Sequence, residues 1–142
     1  MKILVAVDGS RNALRAVKYA VRLAHLLRTA SNKITLISVH DDIGLRHARA
    51  FVGNAEVADY LRELSEKELK AARKLLKDDG IGYDMEIRTG QVAQEIIECA
   101  NKGKFDMIVL GSKGRSAVAD LLIGSVAQRV LASAKQPVVV VK

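Results

Sequence analysis

Two short segments carry the residue types that could handle a phosphorylated ligand: Asp8-Gly9-Ser10, and the glycine-rich stretch 111–125, GSKGRSAVADLLIGS. In the second, two residues separate Gly111 from Gly114, and nine more separate Gly114 from Gly124-Ser125. Glycines permit positive φ and let the backbone approach a ligand closely. Gly124-Ser125 falls where a helix is expected to begin, so unpaired N–H groups and the helix dipole would favour an anion there. Ser125 would add a hydroxyl donor and Lys113 a positive charge, and the whole reads as a phosphate cradle. The spacing by itself is not specific, because glycine-rich strand-to-helix turns are also common structural devices. There is no GxxxxGK[ST], and no GxGxxG after a strand, which disfavours a P-loop NTPase or a dinucleotide-binding Rossmann domain.

Asp8 has two readings, one beside a ligand and one as an acid at a helix entry. A lone carboxylate would repel a triphosphate, so a divalent ion is its natural companion. His40, Asp41, Asp42 and His47 are the only cluster of candidate metal ligands. They fall in 40–54, read as a polar, glycine-punctuated loop, where a solvated role is the simpler one. Cys99 lies near Ile96 and Ile97 and reads as a packed thiol. His25, next to a basic stripe, reads as an exposed helical residue.

The elements that must position these residues alternate along the chain. KILVAV (2–7) and ITLISV (34–39) are apolar runs of strand length, separated by an amphipathic stretch over 11–28 with Ser10 as its N-cap. A long helix is expected over 55–79, with Val57, Leu61, Leu64, Ala72 and Leu75 inward, Glu63/Lys67 and Glu66/Lys70 as outward pairs, and Gly80 closing it. YDMEIR (83–88) alternates and suits a half-exposed edge strand. A helix containing Val92, Ile96, Ile97 and Ala100 follows, then the strand FDMIVL (105–110), a helix over about 124–134, and a final strand 138–141 introduced by Pro137. Strands alternating with helices imply an α/β fold, a parallel sheet with helices on both faces.

The 142 residues fit one domain, 1–142, with a core that needs neither disulfide nor structural metal. The single cysteine forms no internal disulfide. The first apolar run is too short for a secretory signal and no stretch is long enough to span a membrane, so a reducing cytoplasm is the expected setting. Net charge is +7, which raises nucleic acid as a partner. Yet residues 1–54 hold nine Lys+Arg against three Asp+Glu, while 55–142 hold fourteen against thirteen. Arg11, Arg15, Lys18 and Arg22 recur at helical spacing, as a solvated helix face would. Aromatic residues are 4% with no Trp, too few for the stacking platforms of single-strand binders, so nucleic acid is disfavoured.

The chain resembles the universal stress protein family over essentially all its length. Gly111, Gly114, Gly124 and Ser125 reproduce that family's nucleotide motif, and VAVDGS around Asp8, ITLISVH, FDMIVLGS, GSVAQRVL and PVVVV match other characteristic segments. The resemblance implies a flavodoxin-like sheet of order 3-2-1-4-5 and ATP binding, as in the motif-bearing branch, with magnesium or manganese through Asp8. Gly111, Gly114, Gly124 and Ser125 would hold ribose and phosphates, with Ser112, Lys113 and Val126 beside them. Adenine would lie between the first two strands, which puts Asp8 beside the nucleoside and the backbone of Val39, with His40 next to it, near the base edge. Position 113 is often Arg or His in relatives, and Lys113 keeps the charge but loses the forked donor set.

The implied role is a nucleotide-dependent stress, signalling or regulatory module read by an unidentified protein partner. A slow ATPase or phosphotransferase is the alternative, but beyond Asp8 no water-activating residue is apparent, so no catalytic residue is assigned. A phosphorylatable receiver is disfavoured because Asp8 is single and no acceptor Asp appears. The family's strand order would leave the apolar 138–141 at a sheet edge, which predicts a homodimer through that strand.

Overall fold

In a computed structural model of the chain, residues 1–27, 31–114 and 123–142 are described. The elements are β1 (Lys2–Ala6), α1 (Arg11–Leu26), β2 (Lys33–Asp41), α2 (Asp42–Val52), α3 (Asn54–Asp78), β3 (Tyr83–Gly90), α4 (Val92–Lys102), β4 (Met107–Gly111), α5 (Ser125–Ser133) and β5 (Val138–Val141). All strand pairs are parallel, in the order β3-β2-β1-β4-β5. This is the expected doubly wound sheet.

Successive side chains of a strand point to opposite faces, and β1 shows what that does here. Ile3, Val5 and Val7 enter a core shared with α1 and α3, while Leu4 enters one shared with α4 and α5. Because both faces are covered, the central strands are continuous apolar runs, as parallel sheets require. Helix α1 lays Ala13, Ala16, Ala20 and Ala24 against the sheet. These small residues let it approach closely. Ser10 caps α1 as expected, its Oγ accepting from the Ala13 N–H at 3.1 Å. Gly80, at φ +68, ends α3 as expected. The Gly80 N–H donates to Lys77 O and the Ile81 N–H to Leu76 O, a paired closure of the last turn.

Two expectations need correction. The segment 40–54 is not a loop: β2 runs on to Asp41, and Asp42–Val52 is α2, packed on α3 and β3. Leu45, Arg46, Ala48, Arg49 and Ala50 are adequate helix formers, and one internal glycine, Gly44, costs only about 1 kcal/mol, which tertiary packing overrides. Gly53, at φ +89, provides the break before α3. On α3, Leu64 and Leu75 are half-buried, whereas Ser65, Glu68, Leu69 and Leu76 are buried with Val57, Leu61 and Ala72. Glu63, Glu66, Lys67 and Lys70 do lie outward, and an i,i+4 ion pair on this helix joins Lys74 to Asp78 at 2.5 Å.

The edges of the sheet differ. β3 is exposed on both faces from Asp84 to Ile87, so its alternation does not cover one side as a half-exposed strand would. β5 is half-buried throughout. Among the described residues, no helix is long and apolar enough to cross a membrane.

Candidate functional site

Strand order reverses between β1 and β4, and in an open parallel sheet the crevice beyond the carboxyl ends of such strands is where ligands bind. A cavity of about 150 Å3 lies there. Its floor is apolar, built from Ala6 of β1, Ile37 and Val39 of β2, Leu110 of β4, and Val92 and Ile96 of α4. Its mouth is polar. Asp8, Ser10, Gly111, Ser112, Lys113, Gly114, Gly124, Ser125 and Val126 all border the cavity, so the structure brings together nine of the ten residues singled out from sequence once Val39 is counted and Ser10, named only as a cap, is set aside.

The remaining one, His40, keeps its backbone next to Val39 but turns its imidazole to the other face of β2, where Nε2 lies 2.6 Å from Ser65 Oγ. The period of two along the strand dictates this separation: Ile37 and Val39 face α4, Ser38 and His40 face α3.

The β1–α1 turn is held by its own side chains. Asp8 Oδ1 accepts from the Ser10 N–H at 3.0 Å, and Gly9 supplies the turn at φ +78. The carboxylate therefore has a structural task of the kind anticipated for a helix entry, and it still faces the cavity. On the other side, Ser112 donates its N–H to Val141 O and accepts the Gly124 N–H on its own carbonyl, both at 2.7 Å. These bonds bring the two ends of the β4–α5 connection together. Residues 115–122, between them, lie outside the described residues.

The glycines serve three different purposes, and positive φ is none of them: among the described residues it falls on Gly9, Gly53, Gly80, Gly90 and Lys104. A Cβ on Gly111 would stand 2.7 Å from the Asn12 carbonyl carbon and 2.9 Å from Ala13 N, so Gly111 is bare because α1 crosses it. A Cβ on Gly114 would stand 2.8 Å from Asp8 Oδ2, so Gly114 makes room for the carboxylate at the mouth. Among the described residues, a Cβ on Gly124 would be 3.4 Å or more from its neighbours, ordinary contact. Gly124 is instead the N-cap of α5 and carries no side-chain cap, which leaves first-turn N–H groups of Ser125 and Val126 available to an anion.

Among the described residues, no group of three or more His, Cys, Asp or Glu is arranged to hold a metal ion. His47 is exposed on α2 rather than in a loop. Cys99 is buried as expected, and burial pushes its thiol pKa up, away from nucleophilic use. The apolar floor was legible only as core: Val92 and Ile96, spaced i and i+4, read as a packing face, and nothing in the pattern marks them as a ligand seat.

Comparison with known proteins identifies the fold and the family. The universal stress protein family model matches residues 1–142. Universal stress protein MJ0531 of Methanocaldococcus jannaschii is 34% identical over 142 residues, covering 99% of this chain and 81% of the relative. The solved structure of MJ0577 from the same organism superposes with a TM-score of 0.80 at 27% identity, covering 99% of this chain and 94% of that one. A universal stress protein solved in complex with cAMP aligns at TM-score 0.63 and 26% identity, over 100% of this chain and 97% of that one.

Proposed function

Because the chain belongs to the universal stress protein family, we propose that its cavity binds an adenine nucleotide, ATP foremost, and that the bound state is the output. The observation that carries this reading is the convergence of the α5 first turn, Gly114 and Lys113 on the mouth of one apolar-floored cavity. An apolar seat suits a purine face, and a helix N-terminus with a lysine suits phosphate. The cAMP-bound relative supports the adenine-nucleotide class. In this reading the base rests on Ile37, Val39 and Val92, while ribose and phosphates lie along Gly111, Gly114, Gly124 and Ser125 with Ser112, Lys113 and Val126. Asp8 stands beside the nucleoside and takes one side of a magnesium or manganese ion carried in by the nucleotide.

Asp8 is the only carboxylate among the described residues lining the cavity, and it is already engaged with the Ser10 N–H. With no further acid or glutamine among those described residues to activate water, turnover is slow or absent. The protein works as a regulatory module of the cytoplasm, read by a protein partner, rather than as an ATPase. Denaturing the purified protein and identifying the released nucleotide tests the binding. Adenine nucleotide is the expected result, and a protein that neither releases nor binds ATP or AMP defeats the reading. A steady-state rate with magnesium in the ordinary enzyme range of about 1 to 1000 per second would make it an ATPase instead.

The same reading includes a homodimer through β5. Bonds from the Ile108 N–H to Pro137 O and from the Ser112 N–H to Val141 O turn residues 137, 139 and 141 toward β4. By the period of two, Val138 and Val140 present their N–H and C=O groups at the open edge. Antiparallel pairing of two copies about a two-fold axis would satisfy both ladders. Val140→Pro removes one outward donor without touching the β4 ladder and should leave a folded monomer by light scattering. A monomeric wild type at micromolar concentration would refute the pairing.

A further inference from the structure

Between the carboxyl end of β2 and α3 lies a polar cluster in a layer that is otherwise apolar. Ser38, His40, Ser65 and Glu68 are all buried there, whereas one turn and more along α3 the same face carries Leu69, Ala72 and Leu76. Burying hydroxyls, an imidazole and a carboxylate is costly unless they are hydrogen-bonded. Ser65 Oγ donates its single proton to Leu61 O at 2.7 Å, so in the 2.6 Å contact with His40 the ring Nε2–H is the donor. Ser38 Oγ donates to Glu68 Oε2 at 3.0 Å. Directional bonds of this kind fix the register of α3 on β2 more narrowly than interchangeable apolar contacts do.

Glu68 has a second contact, and it leads to the site. Gly9 passes directly over it: a Cβ on Gly9 would stand 3.2 Å from Glu68 Cγ, 3.4 Å from Cα and 3.5 Å from Cβ. The stem and backbone of Glu68 thus lie directly beneath the β1–α1 turn, close enough to crowd any side chain at position 9. The residues flanking Gly9 are Asp8, which reaches toward Gly114 at the cavity mouth, and Ser10, which caps α1.

We propose that Glu68 is a positioning residue of the nucleotide site: tied to β2 through Ser38, it holds the Gly9 turn at the height that sets Asp8 against Gly114. The assignment rests on the nucleotide reading above. Glu68 is not among the described residues lining the cavity and acts through the turn. By this route α3, which is remote from the cavity floor, bears on nucleotide affinity.

The test combines ATP calorimetry with amide exchange of the ligand-free protein for Glu68→Ala, Glu68→Gln and Ser65→Ala. Loss of the Ser38 bond and of the stem under Gly9 should weaken ATP binding about tenfold in Glu68→Ala and speed exchange at the Ser10 N–H. Glu68→Gln, equal in length and still able to accept from Ser38, should recover affinity to within about threefold of wild type. Ser65→Ala breaks the same cluster without touching Gly9, so it should lower thermal stability and leave ATP affinity unchanged. In an Asp8→Ala background, Glu68→Ala should add no further loss, since its effect runs through Asp8. Equal weakening by Ser65→Ala at matched stability loss, additive losses with Asp8→Ala, or unchanged affinity and exchange in Glu68→Ala would each overturn the assignment. If Glu68→Ala does not fold, Glu68→Ser, which also removes the stem beyond Cβ and the carboxylate but keeps a polar side chain in the cluster, takes its place under the same criteria. Should wild type fail to bind ATP, the nucleotide reading falls, while exchange at Ser10 still decides whether Glu68 holds the turn.

Discussion

The two turns that border the cavity reach the same place by different means. The β1–α1 turn is short and bonded within itself: Asp8 accepts from Ser10, Ser10 accepts from Ala13, and Gly9 takes the left-handed conformation that joins them, with Glu68 of α3 beside Gly9. The β4–α5 connection is long, and what holds it is remote in sequence. Ser112 is tied to Val141 of β5 and to Gly124, and Gly111 is pressed against Asn12 of α1. The hydrogen bonds that shape the short turn are its own, whereas the ends of the long one are fastened to remote elements. This separates the motif glycines into a packing residue, Gly111, and a residue at the cavity mouth, Gly114.

Substitutions at those positions can break the distinction. The largest effect is expected at Gly111→Val, where a branched side chain would meet the α1 backbone below 3 Å. Overpacking of this sort costs about 3 kcal/mol, read as a lower denaturant midpoint without ligand. A variant of unchanged stability would mean that Gly111 serves the ligand alone.

Next comes Gly114→Val, whose Cβ meets, among the described residues, only the Asp8 carboxylate oxygen within 4 Å. The fold should stay native by circular dichroism. Displacing Asp8 and crowding the phosphates should weaken ATP by about 2 kcal/mol, or thirtyfold, in calorimetry. If stability falls here as it does at Gly111, the two glycines are not different in kind.

The smallest effect sharpens the comparison from the other turn. Ser10→Ala removes the cap on the Ala13 N–H and should cost about 1 kcal/mol of stability, lowering Tm by roughly 2–4 °C in a chain of this size. A cap bonded within its own turn predicts that the loss stays confined to the start of α1. Faster amide exchange at β4 as well would show that the two turns are coupled more tightly than their bonding suggests.

How far these features were legible follows from the range of the forces behind them. The strands, the alternation with helices, the Ser10 cap and the Gly80 closure were readable because period, capping and turn chemistry act over a few residues. The glycine spacing marked the cavity mouth for the same reason: a strand must end and a helix begin within it. The helix Asp42–Val52 was missed because its local signals are weak and a glycine interrupts them, and only packing on α3 and β3 makes it worthwhile. The side of β2 to which His40 turns, the apolar floor made by Val92 and Ile96, and the reason Gly111 lacks a side chain were decided by tertiary structure alone. Each depends on which element lies across the sheet from a given residue, and residues as distant as Asn12 and Gly111, or Gly9 and Glu68, leave no mark on each other's local sequence. Physical chemistry acting within a turn or a strand sets what each segment becomes, but only the closed fold sets what each residue touches.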